Sequence, residues 1–401
     1  MTPIEAPPVR IVAHLDMDAF YASCELLRYP DLRGEAVVIG GSRDATPRTR
    51  VDPATGAELR SYMRLSGYAG RGVITTATYP AREFGLRSAM PLMKAARLAP
   101  HAILLPVDFD LYRAMSRRFK AAVRELAPLV EDRGIDEVYI DLSPVVAARI
   151  DDAGDAWWYA RELGQQIRAA VHAATGLTCS IGLAPNKLVA KIASELDKPD
   201  GLTLVTPEDV PARIWPLAAR RLHGVGPKAE ARLSALGVYT IGDLACADEA
   251  LRADLAAKLG RRYADWLHGA AHGIDNRPVV TESEPVSISR ETTFDRDLHA
   301  VRDRALLTPI FTGLCERLAS DLQRKHYRAR TIGIKLRFDD FKTLTRDRTI
   351  DQPVDDARRI RGVAAGCLKT VDLSRRIRLL GVRASKLVPI EPEQARRTKP
   401  A

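Results

Sequence analysis

Two acidic pairs in the sequence have the residue types and spacing to bind divalent metal ions. Asp16 and Asp18 lie in HLDMDAFYASCE, directly after the apolar run IVAHL, and Asp136 and Glu137 lie in GIDEVYIDLS. Residues i and i+2 of a strand share a face, so a strand here would point Asp16 and Asp18 to the same side. Buried carboxylates are unfavourable unless they are paired or bound to metal. Taken alone, either pair could also serve turn chemistry or a salt bridge.

The two acidic pairs are distant in sequence, but two strands could bring Asp16, Asp136 and Glu137 together. Three crowded carboxylates repel one another, and a divalent cation relieves that repulsion. Hard oxygen ligands of this kind favour Mg²⁺, which proteins commonly hold with a few carboxylates and the phosphates of a substrate. Two such ions form the clamp for in-line phosphoryl transfer. The joint occurrence of the pairs therefore favours a phosphoryl-transfer site.

Other residues could bind the phosphates of a nucleotide. Thr76, Tyr79 and Arg82 in TTATYPAREFG have the three-residue spacings that bring side chains to one face of a helix. Lys198, in ELDKPDG, lies at the end of a predicted helix. Each could be a solvated surface residue, but together with the acids they predict a nucleotide-binding site.

Predicted strands and helices alternate through the first half of the chain, as a layer that could position these residues. The strands are RIVAHLDMDAF, EAVVIGG, VITTATY, TCSIGLA and two within LVEDRGIDEVYIDLS, joined by a turn at Gly134. The first predicted helix begins near Tyr21. The others are AMPLMKAARLA, DLYRAMSRRFKAAVRELA, AWWYARELGQQIRAAVHAATG and NKLVAKIASEL, and the fourth of the five helices ends at Gly176. This order predicts an α+β layer, a sheet with helices on one side.

The second half of the chain has a different character. LHGVGPKAEARLSALGVYTIGDLA predicts a helix-hairpin-helix, whose backbone N–H groups at a helix N-terminus can hold a DNA phosphate. The alternative is an ordinary helical hairpin. From Ser287, four predicted strands and helices over 302–326 and 355–370 indicate a separate α/β domain.

Positive charge is concentrated in this last domain. The chain has a net charge of +10, whereas residues 285–401 contain 26 Lys and Arg against 15 Asp and Glu, a net of +11. The first 284 residues contain 35 Lys and Arg against 36 Asp and Glu, a net of −1. Lys and Arg near phosphates release condensed counterions. We interpret the asymmetry as a polyanion-binding surface, the alternative being a basic face that serves solubility.

Composition excludes several classes of protein. No apolar run is long enough to span a bilayer, and no N-terminal signal peptide is evident. The five cysteines are scattered without a CxxC pair, which indicates reduced thiols in a cytoplasmic compartment and no structural zinc. His268 and His272 have the i, i+4 spacing of a metal site but no third ligand nearby, which favours surface histidines.

Several long motifs occur in the order of a known family. They are HLDMDAFYASCE, TYPAREFGLRSAMP, GIDEVYIDLS, SIGLAPNKLVAKIASELDKPDG, GVGPK and SISRETTF. Over nearly its whole length the chain resembles the Y-family translesion DNA polymerases of the bacterial DNA polymerase IV type. The resemblance implies an α+β multidomain right hand. Its parts would be a palm (1–18 and 108–205), fingers (19–107), a helix-hairpin-helix thumb (206–276), a linker (277–285), an α/β little finger (286–390) and a tail (391–401).

The resemblance also implies roles for individual residues. Asp16, Asp136 and Glu137 would be the catalytic carboxylates, binding two Mg²⁺ ions that Mn²⁺ could replace, with the carbonyl of Met17 as a further ligand. Asp18 would support the site without binding metal. The nucleotide-binding residues would be Phe20, Tyr21, Thr76, Tyr79, Arg82 and Lys198, with Tyr21 as the steric gate beneath the sugar. The DNA-binding residues would be Gly224, Gly226, Lys228, Arg290, Arg376, Arg378 and Arg383, with the final strand along the DNA backbone in the major groove.

The implied activity is template-directed addition of deoxynucleotides to a primer, for lesion bypass. The implied partners are primer-template DNA, deoxynucleoside triphosphates and a sliding clamp. The resemblance also implies a monomer that works at the nucleoid in a bacterial cytoplasm and does not bind membranes. The tail EPEQARRTKPA lacks an evident clamp-binding peptide, which puts recruitment through the tail in doubt. Two alternatives stay open: a nucleotidyl cyclase with a similar palm, and a catalytically reduced DNA-binding relative.

Three departures from the family pattern stand out. Gly134 occupies a position where Ser is frequent, and KPDG replaces KPNG, which puts Asp200 near Lys198 and predicts a slightly weaker phosphate contact. The fingers also contain a long insertion, residues 42–72, with six arginines against three acids. This insertion is either a surface excursion or a contact with the template or a partner.

Overall fold

Strands and short helices follow one another along the described part of the first 107 residues, and the strands over 48–64 and 103–105 were not predicted from the sequence. The computed structural model describes residues 9–41, 45–56, 58–150 and 154–390. Arg43 and the tail 391–401 therefore lie outside the described residues. The elements are β1 (Val12–Met17), α1 (Phe20–Arg28), β2 (Val37–Gly40), β3 (Arg48–Val51), β4 (Glu58–Ser61), β5 (Met63–Arg64), β6 (Ile74–Ala77), α2 (Tyr79–Glu83), α3 (Leu92–Leu98) and β7 (Ile103–Leu105).

Residues 108–205 continue this alternation and supply most of the palm. Asp108 caps the first helix by accepting a hydrogen bond from the backbone of Leu111, and Gly176 ends the longest helix in the left-handed conformation. Gly134 has a positive φ in the turn between two strands, as predicted. The elements are α4 (Phe109–Leu126), β8 (Val130–Asp132), β9 (Glu137–Asp141), α5 (Ser143–Ala147), α6 (Ala156–Thr175), β10 (Cys179–Ala184), α7 (Lys187–Ala193) and β11 (Leu202–Leu204).

The palm is a five-stranded sheet in the order β11-β10-β1-β9-β8, with β1 in the middle and entirely buried. Leu15 and its neighbours on one face join the core formed by α4 and α6. Val12 lies on the opposite face, in a second core with α7. The prediction that helices lie on one side is therefore wrong for α7. Its close approach is possible because Gly182 of β10 has no side chain beneath it.

The fingers contain a second, four-stranded sheet in the order β5-β7-β2-β6, with its own apolar core. The insertion 42–72 lies between β2 and β6 and contains the strands β3, β4 and β5. Its strands β3 and β4 form a separate two-stranded hairpin, exposed on both faces. Residues 42–44 and 57 of the insertion lie outside the described residues.

Four helices follow the palm: α8 (Pro227–Ser234), α9 (Ile241–Ala245), α10 (Glu249–Leu259) and α11 (Arg261–Ala271). They share one apolar core with α7, so the thumb packs on the palm. Up to Glu282, the chain forms one compact unit.

The second compact unit begins at Ser283. Its elements are β12 (Ser287–Leu298), α12 (Arg304–Arg324), β13 (Tyr327–Phe338), β14 (Thr343–Val354), α13 (Ala357–Leu368) and β15 (Ile377–Pro389). The strands form an antiparallel sheet in the order β12-β15-β13-β14, and both helices contribute to the core beneath it. Among the described residues of the chain, no helix is long and apolar enough to cross a membrane.

Candidate active site and nucleic-acid contacts

The sheet register sets two of the three predicted catalytic carboxylates opposite each other. Asp16 on the central strand β1 pairs with Glu137, the first residue of β9, and Asp136 immediately precedes that strand. The backbone N–H of Met17 donates to the carbonyl of Asp136 at 3.1 Å, which ties the two segments together. Directly facing residues of an antiparallel pair have Cβ atoms about 4.5–5.5 Å apart. The structure thus brings the three acids to one end of the palm sheet.

Two lysines from the segment after β10 neutralise these acids. The Nζ of Lys198 lies 2.8 Å from Oδ1 of Asp16 and also pairs with Glu195. The Nζ of Lys191, on α7, lies 2.7 Å from Oε2 of Glu137. Sequence reasoning identified Lys198 but missed Lys191, because a lysine in a largely apolar helix has no distinguishing pattern. Its contact depends on the packing of α7 against the sheet.

Burial and neighbouring charges separate the pKa values of the three acids. Burial raises the pKa of Asp16 to about 7, in spite of the opposing lysine. Burial also raises the pKa of Asp136, and the charge of Glu137 adds to this effect. At Glu137 burial acts in the same direction, but hydrogen bonds from His14 and Lys191 outweigh it and bring the pKa to about 2. The cluster therefore holds its negative charge most firmly at Glu137.

His14 is a second residue of the site that sequence reasoning missed. Its ring is fully buried, and burial lowers its pKa to about 4, so it is neutral at pH 7. Its Nε2 lies 3.3 Å from Nζ of Lys191 and 3.4 Å from Oε2 of Glu137. The other ring nitrogen lies 2.8 Å from the hydroxyl of Ser194. His14 thus packs directly against the ion pair of Lys191 with Glu137.

The donor set fits a divalent metal ion in its chemistry. Three carboxylates meet in a mostly buried place, where burial raises the pKa of Asp16. Within the described residues, no group of three or more acidic, His or Cys side chains is already arranged around a metal position. Lys198 and Lys191 occupy oxygens of Asp16 and Glu137 instead. Each lysine contacts one oxygen of its carboxylate, and a cation bound to Asp16 would compete with Lys198 for that carboxylate.

Asp18 holds the loop that carries Lys198. The carboxylate is 2% exposed, accepts a hydrogen bond from the hydroxyl of Ser180 at 2.8 Å, and accepts one from the backbone N–H of Asp200 at 2.8 Å. The hydroxyl of Tyr79 lies 3.5 Å from the same carboxylate. Asp18 therefore connects β1, β10, the lysine loop and the fingers, which agrees with a supporting role.

The predicted phosphate-binding residues of the fingers lie beside this cluster. Tyr79 and Arg82 are in α2, with the guanidinium carbon of Arg82 4.6 Å from the centre of the Tyr79 ring. Burial raises the pKa of Tyr79 to about 12, and the charge of Asp18 contributes. Thr76 is in β6 rather than in the helix. The prediction of one helical face for all three residues is therefore wrong, because the strand extends to Ala77.

Asp200, the departure in KPDG, does not pair with Lys198. Its carboxylate Oδ1 lies 2.5 Å from a guanidinium nitrogen of Arg168, on α6, and that guanidinium also bonds the carbonyl of Asp200. Lys198 instead pairs with Asp16 and Glu195. The extra acid thus fastens the lysine loop to α6.

Tyr21, the predicted steric gate, is half-buried and rigidly backed. Its ring stacks on Tyr112 with a centroid distance of 4.3 Å and an angle of 17° between planes. The hydroxyl of Tyr112 donates to Glu25 at 2.7 Å. Burial raises the pKa of Tyr21, and the charge of Asp136 adds to this effect. Phe20 is 2% exposed and belongs to the core, so its part in the site is to pack.

Comparison with known proteins identifies the family. The sequence pattern of the impB/mucB/samB family matches residues 15–195, and that of its C-terminal domain matches residues 285–397. The chain is 41% identical over 382 residues to DNA polymerase IV of Streptomyces coelicolor, covering 95% of this chain and 72% of that protein. It is also 41% identical over 389 residues to DNA polymerase IV of Halorhodospira halophila, covering 96% and 97%.

The chain belongs to the Y family of DNA polymerases. Solved structures agree in fold: a chimeric Y-family polymerase, Dbh-Dpo4(243-245)-Dbh, is similar with a TM-score of 0.77 and 24% identity over 94% of this chain and 99% of the chimera. An insertion ternary complex of Dbh DNA polymerase gives a TM-score of 0.63 at 23% identity over 95% of this chain and 100% of that one. The α+β multidomain right hand is thereby confirmed, and this Y-family polymerase is a translesion DNA polymerase. Its relatives imply dependence on a divalent metal ion.

The thumb of this Y-family polymerase presents the predicted hairpin at an open helix end. Gly224 and Gly226 precede α8, and they and Lys228 are exposed. Gly224 has a positive φ and packs against the ring of Trp266, which leaves no room for a side chain. The hydroxyl of Tyr263 donates to the carbonyl of Gly224 at 2.9 Å. The turn is thus held directly before the N-terminus of α8, and a helix N-terminus is a place where a phosphate can bind.

The predicted DNA-binding arginines of the little finger do not all share one surface. Arg383 is exposed and pairs in register with Ser289, whereas Arg290 pairs with Val382, so the two arginines lie on opposite faces of the sheet. Arg290 makes a two-point ion pair with Asp321 of α12, at 2.5 and 2.8 Å. The guanidinium of Arg290 is therefore already bound to a carboxylate of α12, on the face of the sheet that the helices cover.

The other two arginines lie near the start of β15. Arg376 is exposed, and the guanidinium carbon of Arg378 lies 4.6 Å from the centre of the exposed Phe341 ring. Arg378 also approaches Asp297 at 3.9 Å. Of the four arginines, Arg376 and Arg383 therefore present their charge most openly.

Proposed function

We propose that this polymerase adds deoxynucleotides to a primer 3′ end by two-metal phosphoryl transfer. Asp16, Asp136, Glu137 and the carbonyl of Met17 would hold two Mg²⁺ ions, and Mn²⁺ could replace them because it accepts the same oxygen ligands. When bound, the ions lower the pKa of the attacking hydroxyl and stabilise the leaving oxygen. The observation that carries the proposal is the register of Asp16 with Glu137, beside Asp136.

Lys198 is the residue of the chain that changes partner in this proposal. In the absence of substrate it neutralises Asp16 at 2.8 Å. An incoming triphosphate brings more negative charge than one carboxylate, so Lys198 would transfer to it and free Asp16 for metal. Arg82 and Tyr79, with Thr76 in the neighbouring strand, would bind the same triphosphate. Asp18 would keep the lysine loop in place during this exchange.

Tyr21 would lie beneath the sugar of the incoming nucleotide and exclude a 2′-hydroxyl. Its stacked contact with Tyr112 supports this role, because a gate must resist being pushed aside. Phe20, buried beside it, would fix the start of α1. The proposed palm, fingers, thumb and little finger keep the boundaries expected from the sequence.

The proposed DNA contacts come from the thumb and the little finger. Gly224, Gly226 and Lys228 would hold one backbone phosphate, and the little finger would follow the backbone with Arg376, Arg378, Arg383 and, after it leaves Asp321, Arg290. The net charge of +11 over residues 285–401 supports this surface. We further propose a monomer at the nucleoid in the cytoplasm, with a sliding clamp as a partner that binds elsewhere than through a tail peptide.

Primer extension tests the proposal. The wild-type protein, a labelled primer-template and the four deoxynucleotides should give extension with Mg²⁺ or Mn²⁺ and none after chelation. Templates with and without a lesion measure bypass, and cyclic nucleotide formation is assayed in the same reactions. Cyclic products without extension would favour the cyclase, and DNA binding without either product would favour a catalytically reduced relative.

A further inference from the structure

The hairpin of β3 and β4, inside the fingers insertion, has the properties of a nucleic-acid contact. We propose that it binds the backbone of the unpaired template strand through Arg48 and Arg50. The inference rests on the polymerase function, because it needs a template. It concerns a surface that takes no part in the catalytic site.

The two faces of the hairpin differ in charge and in contacts. The register pairs Arg48 with Ser61 and Arg50 with Leu59, and side chains alternate between faces along a strand. One face therefore carries Arg48, Arg50, Leu59 and Ser61. We call this face the open face. It contains two positive charges and no acid. The opposite face carries Thr49, Val51, Glu58 and Arg60.

The face opposite the open face is anchored to the body of the fingers. Arg60 lies 3.6 Å from the carboxylate of Asp31, and its guanidinium carbon lies 5.8 Å from the centre of the Tyr29 ring. The hydroxyl of Tyr62 donates to Asp31 at 2.7 Å, and the rings of Tyr62 and Tyr29 meet edge to face. An isolated two-stranded hairpin is only marginally stable in water. These contacts therefore fix its orientation and turn the open face outward.

The arginines of the open face have no counter-charge among the described residues. Across the described ranges, Arg48 and Arg50 form no ion pair, whereas Arg60 pairs with both Asp31 and Glu58. Both open-face arginines are exposed. Their spacing of two residues sets the side chains roughly 6–7 Å apart along the strand, which is about the spacing of adjacent phosphates in an extended single strand. The open face contains no aromatic ring for base stacking, so its contact would be with phosphates and independent of base sequence.

The position of the hairpin in the chain selects the template strand. It is inserted between β2 and β6, and β6 carries the proposed phosphate-binding residue Thr76. The incoming nucleotide pairs with a template base beside the fingers. In the proposed reaction the template on the 5′ side of that base is still unpaired, and the proposal is that it passes along the fingers. An arginine face there meets a single strand rather than a duplex.

Binding of primer-templates with different overhangs tests the proposal. The full chain is titrated, without nucleotides or metal, onto a labelled primer-template with a 5′ template overhang of either two or twelve nucleotides. Wild type should bind the long overhang more tightly and with a steeper salt dependence. The R48A/R50A variant should lose this difference, with the log–log salt slope on the long overhang falling by about 1.4, or about 0.7 for each single-strand phosphate contact. R48E/R50E should bind the long overhang more weakly than the short one.

The R149A/R161A variant is the matched control, because it removes two exposed palm arginines and the same net charge. It should keep the advantage of the long overhang, and a thermal melt should show all variants folded. An equal loss of affinity on both overhangs, or a loss shared by the control, would overturn the proposal. So would an R48A/R50A variant indistinguishable from wild type. Because no metal or nucleotide is present, failure of the two-metal chemistry would leave this result unaffected.

Discussion

At the residue scale, the candidate site depends on how two lysines and three acids share their charges. Asp136 is the acid for which the structure gives no lysine partner within the described residues, and its pKa is raised by burial and by Glu137. Lys191 holds Glu137, and Lys198 holds Asp16. Removing the charge of Asp136 therefore relieves repulsion in the folded protein while it removes a proposed metal ligand.

The Asp136→Asn variant should fold normally and lose nucleotide addition. Metal stabilisation of the transition state is worth several kcal/mol, so the rate of single-nucleotide addition should fall roughly a thousand-fold or more. The matched control is Asp132→Asn, which changes an exposed acid of β8 that pairs with Lys120 and Arg124. The control should keep nearly the wild-type rate. A loss of only two- or three-fold in Asp136→Asn would contradict the assignment.

Tyr21 gives a second prediction at this scale, because its ring is held in place by Tyr112. The Tyr21→Ala variant should add ribonucleotides as well as deoxynucleotides. Relief of an overpacked contact is worth about 1–3 kcal/mol, or roughly 5–150-fold in sugar discrimination. The Tyr21→Phe variant should keep the discrimination, since ring bulk excludes the hydroxyl. Single-nucleotide addition with matched ribo and deoxy substrates, with a thermal melt, measures both. A folded Ala variant with unchanged sugar selectivity would refute the gate.

The residues that sequence reasoning found and those it missed differ in a physical way. Asp16, Asp136 and Glu137 stand out because acids next to buried strands are chemically unusual. His14 and Lys191 do not, since a histidine in a largely apolar strand or a lysine in a largely apolar helix is ordinary. Their importance comes only from pairing between β1, β9 and α7, which are distant in sequence. A residue's partners are therefore visible only after folding.

At the scale of elements, the site depends on how closely α7 approaches the palm sheet. A Cβ at Gly182 would overlap the backbone oxygen of Ala190 and the backbone nitrogen of Ser194. Neither backbone atom can yield without moving the helix. Since α7 carries Lys191 and leads to the loop of Lys198, any displacement would reach the catalytic acids.

The Gly182→Ala variant should therefore be destabilised by about 1–3 kcal/mol or more, as overpacked core sites are. Its rate of nucleotide addition should also be lower than that of wild type, even at temperatures at which the variant is still folded. Gly226→Ala is the matched control, because a Cβ there meets no atom within 4 Å; it should leave the melting temperature nearly unchanged. Denaturant unfolding of both variants provides the measurement. A Gly182→Ala protein as stable as wild type would mean that α7 can shift without penalty.

Element prediction succeeded where periodicity is strong and failed where spacing alone was used. Four of the five palm strands and the helices α4 and α6 were predicted because buried strands and long amphipathic helices have clear patterns, whereas the short strand β11 was not predicted. Thr76 was assigned to a helical face from three-residue spacing, but β-branched Thr75 and Thr76 continue the strand β6. The insertion gave no periodic signal, since its hairpin has exposed residues on both faces.

At the scale of the whole molecule, catalysis and most of the positive charge are in different units. Every proposed catalytic and nucleotide-binding residue lies before Glu282, and the second unit has a separate apolar core. Net charge could be read from the sequence, and it located the basic unit correctly. It could not show that Arg290 is paired with Asp321, because that contact joins β12 to α12.

This division predicts the behaviour of a protein that ends at Glu282. Because the first unit has its own cores, the truncated protein should fold, and it should retain weak nucleotide addition at high DNA concentration. Its affinity for primer-template should fall, and the log–log salt slope should decrease by about 0.9 for every duplex phosphate contact that is lost. Equilibrium binding between 50 and 200 mM salt, compared with the full chain, measures both quantities. An unchanged slope would mean that the +11 charge of the second unit serves something other than DNA. Complete loss of addition by a folded truncation, even at saturating DNA, would mean that the second unit contributes to the catalytic step itself.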